Sequence, residues 1–155
     1  MKKILLLLFL LLVNYSYCQN DNAENMIKST INSFFEGLHK GDTTIINKTI
    51  NTSIKMQTVF VNKEGQNVLR TETKKDFLFS VSNKRAEDIW LEKLVSISIN
   101  IDGNLASVWT PYEFYFNNKF SHCGVNSFQL FNNNGNWEII YLVDTRRNEG
   151  CEISP

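Results

Sequence analysis

The sequence predicts an α+β domain: N-terminal helices packed on a curved, mixed or antiparallel sheet. Three observations lead there. Apolar residues recur at helical spacing in the first part of the chain. From about residue 95 the apolar period switches to two. Turn dipeptides and asparagine clusters then divide the rest into long strand-like runs. Helices followed by a meander of strands is the order expected of an α+β domain. The chain has 155 residues, 21% of them charged, and a formal net charge of zero. That length fits one domain, and the balance excludes a disordered tail or a nucleic-acid binder carried by bulk positive charge.

The elements follow in order. Asp21-Asn22-Ala23-Glu24 has the pattern of a capping box. Ile27, Ile31, Phe34, Phe35 and Leu38 fill one face of a first helix. His39-Lys40-Gly41 closes it, with cations near the carbonyl end and a glycine able to turn left-handed. Asp42 caps a short second helix carrying Ile45, Ile46 and Ile50. Met56–Val61 and Val68–Thr71 form a hairpin around Asn62-Lys63-Glu64-Gly65. Thr73–Val81 is a third helix with Phe77, Leu78 and Val81 inward. Val95, Ile97, Ile99 and Ile101 alternate with Ser96, Ser98 and Asn100, the mark of a half-buried strand. Asp102-Gly103 is a hairpin turn. The next strand is Leu105–Phe116, where Pro111 lacks an N–H and predicts an edge position or a bulge. Asn117-Asn118-Lys119 turns the chain into Phe120–Phe131. Asn132–Asn136 turns it again into Trp137–Arg146.

The first eighteen residues read as a signal peptide, leaving 19–155 as a single domain. Met1-Lys2-Lys3 is basic, and Ile4–Val13 is unbroken apolar sequence, too short for a spanning helix of roughly twenty residues. Ser16 and Cys18 are small residues placed for cleavage before Gln19. The protein is therefore expected to be exported, periplasmic or secreted, with no stable membrane insertion after cleavage. In the alternative, a lipoprotein, Cys18 is the acylated residue, although bulky Tyr15 and Tyr17 flank it. After cleavage Cys123 and Cys151 remain, in a compartment where a disulfide can close. Free thiols or metal ligands are the alternatives. His39 and His122 are the only histidines and no CxxC spacing occurs, so no metal site is expected.

The order of elements resembles the nuclear transport factor 2-like superfamily, whose cone-shaped fold is shared with SnoaL-like cyclases and ketosteroid isomerases. The resemblance runs over residues 24–147. It rests most on Phe34-Phe35-Glu36-Gly37-Leu38-His39-Lys40-Gly41-Asp42, and on Phe128-Gln129-Leu130 with Gly135-Asn136-Trp137-Glu138-Ile139. It is similar to small exported Bacteroidetes members, some labelled lumazine-binding. The resemblance implies a sheet curled around helices with a pocket at the open end of the cone. It also places the isomerases' oxyanion-binding tyrosine at Phe34, their general base near Thr58 and their second acid at Asn126. None of the three keeps that chemistry, so steroid-type isomerisation is not expected.

Pairing Phe131 with Trp137 in the last hairpin sets Asn126 opposite Leu142, Gly124 opposite Asp144 and His122 opposite Arg146. His122, Asn126, Asp144 and Arg146 then share one face with Phe120, Phe128 and Leu142. Val125, Val143, Tyr141, Ile139 and Trp137 take the other. His122 and Asp144 are the candidate catalytic residues, a group that titrates near neutrality and a carboxylate able to fix its tautomer. Asn126 and Arg146 are candidate ligand-binding residues, the guanidinium suiting a carboxylate or phosphate. The alternative is a structural network in which His122, Asp144 and Arg146 satisfy one another. Ten of the sixteen aromatics after residue 18 fall between Trp109 and Tyr141. Most are core, but Trp109, Tyr112, Phe114 and Tyr115 also suit the wall of a ligand site.

Phosphate loops, nucleophile elbows and zinc-protease motifs are absent from the sequence. No cofactor and no nucleic-acid partner are expected. The functional expectation is an exported protein that binds a small molecule in the cone pocket, with weak acid–base catalysis through His122 and Asp144 in reach. The alternative is a non-catalytic module whose sheet forms a homodimer or docks a partner. Whether the protein is an enzyme stays open at this stage.

Overall fold

A computed structural model describes residues 22–151. The signal-peptide reading, Cys18 and the Asp21 end of the capping box lie outside the described residues. Helix α1 spans residues 22–40. Gly41 follows at φ 71°, and the Asp42 N–H bonds back to the Gly37 carbonyl at 2.8 Å, the left-handed close expected of a glycine there. Asp42 then caps α2 (Thr43–Thr49), accepting from the N–H groups of Thr44 and Ile45. Thr73 caps α3 (Lys74–Ser82) through the Asp76 N–H.

Seven strands form one mixed sheet: β1 (Ile50–Val61), β2 (Asn67–Glu72), β3 (Trp90–Leu94), β4 (Ser98–Asp102), β5 (Leu105–Phe116), β6 (Lys119–Asn133) and β7 (Asn136–Arg146). The order across the sheet is β2-β1-β7-β6-β5-β3, with β4 also on β5. All pairs are antiparallel except β1 with β7, which run parallel. Ile50, expected in the second helix, opens β1 instead and remains buried. The core holds Ile27, Ile31 and Phe34 of α1, Ile46 of α2 and Val81 of α3 against Val108, Phe128, Leu130, Trp137 and Ile139 of the sheet.

Three expectations change. The strand expected over Val95–Ile101 is split, and β3 was not foreseen. Residues 95–97 face only Thr110 and Pro111 between the two paired stretches, so the bulge anticipated at Pro111 lies on the facing strand. The missing N–H of Pro111 falls at that interruption, while its carbonyl still accepts from the Val95 N–H at 2.8 Å. The last hairpin also shifts. Asn132, not Phe131, faces Trp137, and beyond a bulge in β7 Asn126 faces Asp144. The extra residue moves Trp137 and Ile139 to the concave, buried face, while Tyr141 and Val143 stay half-buried on the other. A second bulge, between Phe114 and Tyr115, pairs Phe120 with Tyr115. The two rings meet edge to face at 5.8 Å, so Phe120 leaves the His122 face.

Candidate functional site

The curled sheet and the helices enclose a cavity of about 670 Å³, walled by α1, α3 and the concave face of β2, β3, β5, β6 and β7. His122, Asn126, Asp144 and Arg146 all line it. Against the expected pairing, the observed register at this end is displaced by two residues. Side chains alternate with period two, so a two-residue displacement preserves the face and a single one would have destroyed it.

Asp144 is the hub. Its Oδ1 accepts from Thr58 Oγ1 at 2.7 Å and its Oδ2 from Arg146 Nε at 2.8 Å. The Tyr112 hydroxyl lies 3.4 Å from Oδ2 and donates to the Thr145 carbonyl at 2.9 Å. Burial, with the Glu92 and Asp144 charges nearby, pushes the Tyr112 hydroxyl far above its ordinary pKa, so it stays a donor. Gly124 makes this reach feasible. A Cβ there would lie 1.8 Å from the Thr145 carbonyl oxygen and 2.9 Å from the Tyr112 ring. The glycine serves close backbone approach.

The sequence reading missed Glu92. On β3 it faces inward with Trp90 and Leu94, and both Trp90 and Glu92 line the cavity. Asn126 Nδ2 donates to Glu92 Oε1 at 2.6 Å. Burial, opposed by that hydrogen bond and reinforced by the Asp144 charge, pushes the Glu92 carboxyl up to about 7. Its backbone is pinned from outside the sheet, where the Glu92 N–H donates to His39 Nε2 at 2.9 Å. Burial lowers the His39 pKa, so the imidazole at the end of α1 acts as a neutral acceptor and not as the cation expected there. It satisfies one N–H on the free edge of β3.

His122 takes a different part from the one expected. Its ring lies 4.9 Å from the Phe114 ring and 5.8 Å, edge to face, from that of Tyr112. Burial first, and the Arg146 charge second, lower its pKa to about 4. Its hydrogen-bond neighbour is Ser121 Oγ at 3.1 Å from Nδ1, and Asp144 does not fix its tautomer. His122 is therefore neutral at pH 7, and the group that titrates near neutrality is Glu92.

Of the aromatic candidates, Tyr112 and Phe114 line the cavity, with Trp90 and Phe116 beside them. Trp109 does not. It lies on the convex face, 53% exposed, because residues of β5 alternate and its neighbours Val108 and Thr110 point inward. Tyr115 also points away and donates to Glu113 at 2.8 Å. Of the three positions where the resemblance placed catalytic groups, Phe34 is a buried core ring, and Thr58 and Asn126 are neutral donors, each bonded to a carboxylate on another strand.

A disulfide joins Cys123 to Cys151, with Cα atoms 5.9 Å apart, beside an isolated bridge between Cys123 and Arg147. Among the described residues no group of three His, Cys, Asp or Glu side chains is placed to hold a metal ion. Nor is any helix there long and apolar enough to cross a membrane.

No protein-family model matches the sequence, and no curated protein is significantly similar to it. Solved structures are similar. An NTF2-like protein with a cystatin-like fold from Novosphingobium aromaticivorans superposes with a TM-score of 0.67 at 10% identity, over 89% of this chain and 90% of its own. An NTF2-like protein of unknown function from Shewanella baltica gives 0.59 at 15% identity, over 82% and 95%. A protein of the NTF2-like family from Streptomyces avermitilis, described as a presumptive dehydratase, gives 0.59 at 10% identity, over 83% and 98%. At such identities the likeness is one of architecture: this chain has the cystatin-like α+β fold of the NTF2-like proteins.

Proposed function

We propose that the protein binds a small molecule with a flat apolar body in the cavity and exchanges a proton with it through Glu92. One observation carries the reading: a carboxyl group with a pKa of about 7 faces an aromatic-walled cavity of about 670 Å³. An acid–base group works best when its pKa lies near the working pH, and perturbed carboxyls in clefts mark functional sites. In this reading Asn126 orients Glu92. Asp144, tied to Thr58 and Arg146, supplies the fixed negative charge that helps keep Glu92 protonated. The Tyr112 oxygen, whose proton goes to the Thr145 carbonyl, accepts from a ligand donor, and the neutral His122 offers a second hydrogen bond to polar atoms of the ligand. The Streptomyces avermitilis neighbour described as a presumptive dehydratase is compatible with proton-transfer chemistry on this architecture. Export belongs to the same proposal: the leader-like residues 1–18 support it, and the Cys123–Cys151 disulfide suits an oxidising compartment.

The test uses a neutral aromatic probe, 2-naphthamide, titrated by calorimetry between pH 5 and 9. One molecule is expected to bind, more weakly above pH 7, because covering an ionised Glu92 costs more than covering a neutral one. Ser80 lines the cavity from the exposed side of α3, and Ser80→Trp should block binding. Glu92→Gln should bind without the pH dependence. Absent binding to the unmodified protein, or unchanged binding in Ser80→Trp, would overturn the reading.

A further inference from the structure

The sequence places two of the chain's four arginines side by side, at 146 and 147. The structure separates them. Arg146 points into the cavity, whereas Arg147 donates to the carbonyls of Glu149 and Gly150 in the C-terminal turn. A different guanidinium joins Arg146. Arg70 of β2 also lines the cavity and lies over the Phe60 ring, its Cζ 5.8 Å from the centroid. Phe60 is the register partner of Arg146 across the β1–β7 pair. Both arginines are therefore neighbours of Phe60 in the sheet, Arg70 over its ring and Arg146 as its backbone partner, at the more open end of the concave face, where Arg70 is exposed and the Arg146 side chain is 46% exposed.

Both forks have donors to spare. A guanidinium carries five N–H donors. Among the described residues Arg146 uses only Nε, on Asp144, and Arg70 makes no hydrogen bond or ion pair. Burial opposes the Arg146 charge, and the attraction and hydrogen bond of Asp144 lead the contributions that outweigh it and keep Arg146 charged. The nearby carboxylates are largely engaged elsewhere. Asp144 has Thr58 as well as Arg146, Glu92 has Asn126, and Asp76 accepts from the Thr73 hydroxyl at the start of α3. Glu72 belongs to the next inward pair along β2, opposite Met56. The apolar wall of the cavity includes Phe77, Trp90 and Phe114.

We propose that the ligand of this cavity is an amphiphile with a single oxyanion, a carboxylate or phosphate, held by Arg70 and Arg146 at the open end while its flat apolar body lies against Phe77, Trp90 and Phe114. Planar forks match oxyanions in two-point contact, and such charge-assisted bonds are strong where solvent is partly excluded. This inference rests on the cavity-binding reading above and adds the ligand's charge and orientation to it.

The experiment compares 2-naphthoate and 2-naphthyl phosphate with neutral 2-naphthamide on the same full chain. At least one of the anions should bind about tenfold or more tightly than the amide, and which one does so identifies the oxyanion. The preference should fall to within about threefold in Arg70→Gln and in the double variant Asp144→Asn/Arg146→Gln, which removes the ion pair as a unit. It should persist in Lys75→Gln, an exposed cation on α3 outside the cavity wall. Equal binding of amide and anions, or a preference untouched by Arg70→Gln and the double variant, overturns the inference and leaves cavity binding standing. Binding of neither amide nor anion overturns both.

Discussion

Glu92 and His122 sit on the same wall and are shifted in opposite directions, and their effects on stability have opposite signs. The Glu92 carboxyl is raised from 4.5 to about 7. The folded protein therefore holds a proton that the unfolded chain has already lost, and stability falls as pH rises from about 4.5 to 7. His122 is lowered from 6.5 to about 4, so stability falls as pH drops from about 6.5 to 4. Between those limits the two largely offset. Glu92→Gln should expose the histidine contribution alone: urea midpoints that climb from pH 4 to 6.5 and then level, with His39, also lowered, adding in the same direction. Relative to the unmodified protein the variant should gain up to about 3 kcal/mol above pH 7. A parallel pH profile in the two proteins would refute the shift assigned to Glu92. Gly124→Ala has a different cause. Its methyl group would meet the Thr145 carbonyl at 1.8 Å, so β6 and β7 must part and Tyr112 must move. A loss of about 2–4 kcal/mol is expected by thermal unfolding, with Tyr112 fluorescence altered.

At the scale of elements, the disulfide closes the last hairpin over a separation of 28 residues. The chain-entropy model gives such a loop about 3–4 kcal/mol. Cys151→Ser should lower stability by that order while leaving the β6–β7 pairing in place, since the backbone bridges between Cys123 and Arg147 remain at 3.0 Å each way. Loss of the amide exchange protection of Val143 would contradict this. The elements also show what the sequence could and could not convey. The cap at Asp42, the third helix to within a residue at each end, the Asp102-Gly103 turn and both ends of β5 were legible because local chemistry decides them. β3 was not. Its sequence, Trp-Leu-Glu-Lys-Leu, places a carboxylate on the inward face, so the alternation that marks a half-buried strand is broken by the residue that matters most to the cavity. The bulge in β7 was equally silent, and it carried Trp137 and Ile139 to the other face. The polar face of the last hairpin was legible because its displacement was an even number of residues. Trp109 was misassigned because aromatic identity says nothing about which side of a pleat a residue occupies.

Across the whole molecule, α1 and α3 roof a concave sheet, and Thr58, Asn126 and Asp144 are buried toward one end of it. Apolar packing from Ile27 to Ile139 fills the other. The cavity is the portion of the cone that this packing leaves unfilled, and its wall combines the hydrogen-bonded groups Glu92, Asn126, Asp144 and Arg146 with aromatic side chains. That division locates the binding reading better than any one residue does, because no single local motif announced it. The parallel pairing of β1 with β7 has a further consequence, in time and not in space. The bond from Thr58 to Asp144 spans 86 positions of sequence, and β1 has only the short β2 as its other neighbour. A growing chain that has emitted β1 through β5 holds a two-stranded ribbon and a separate β3–β5 sheet, with no strand pairing between them. The centre of the sheet assembles only once the last strand is available, so closure is governed by contacts far apart in sequence and is correspondingly slow.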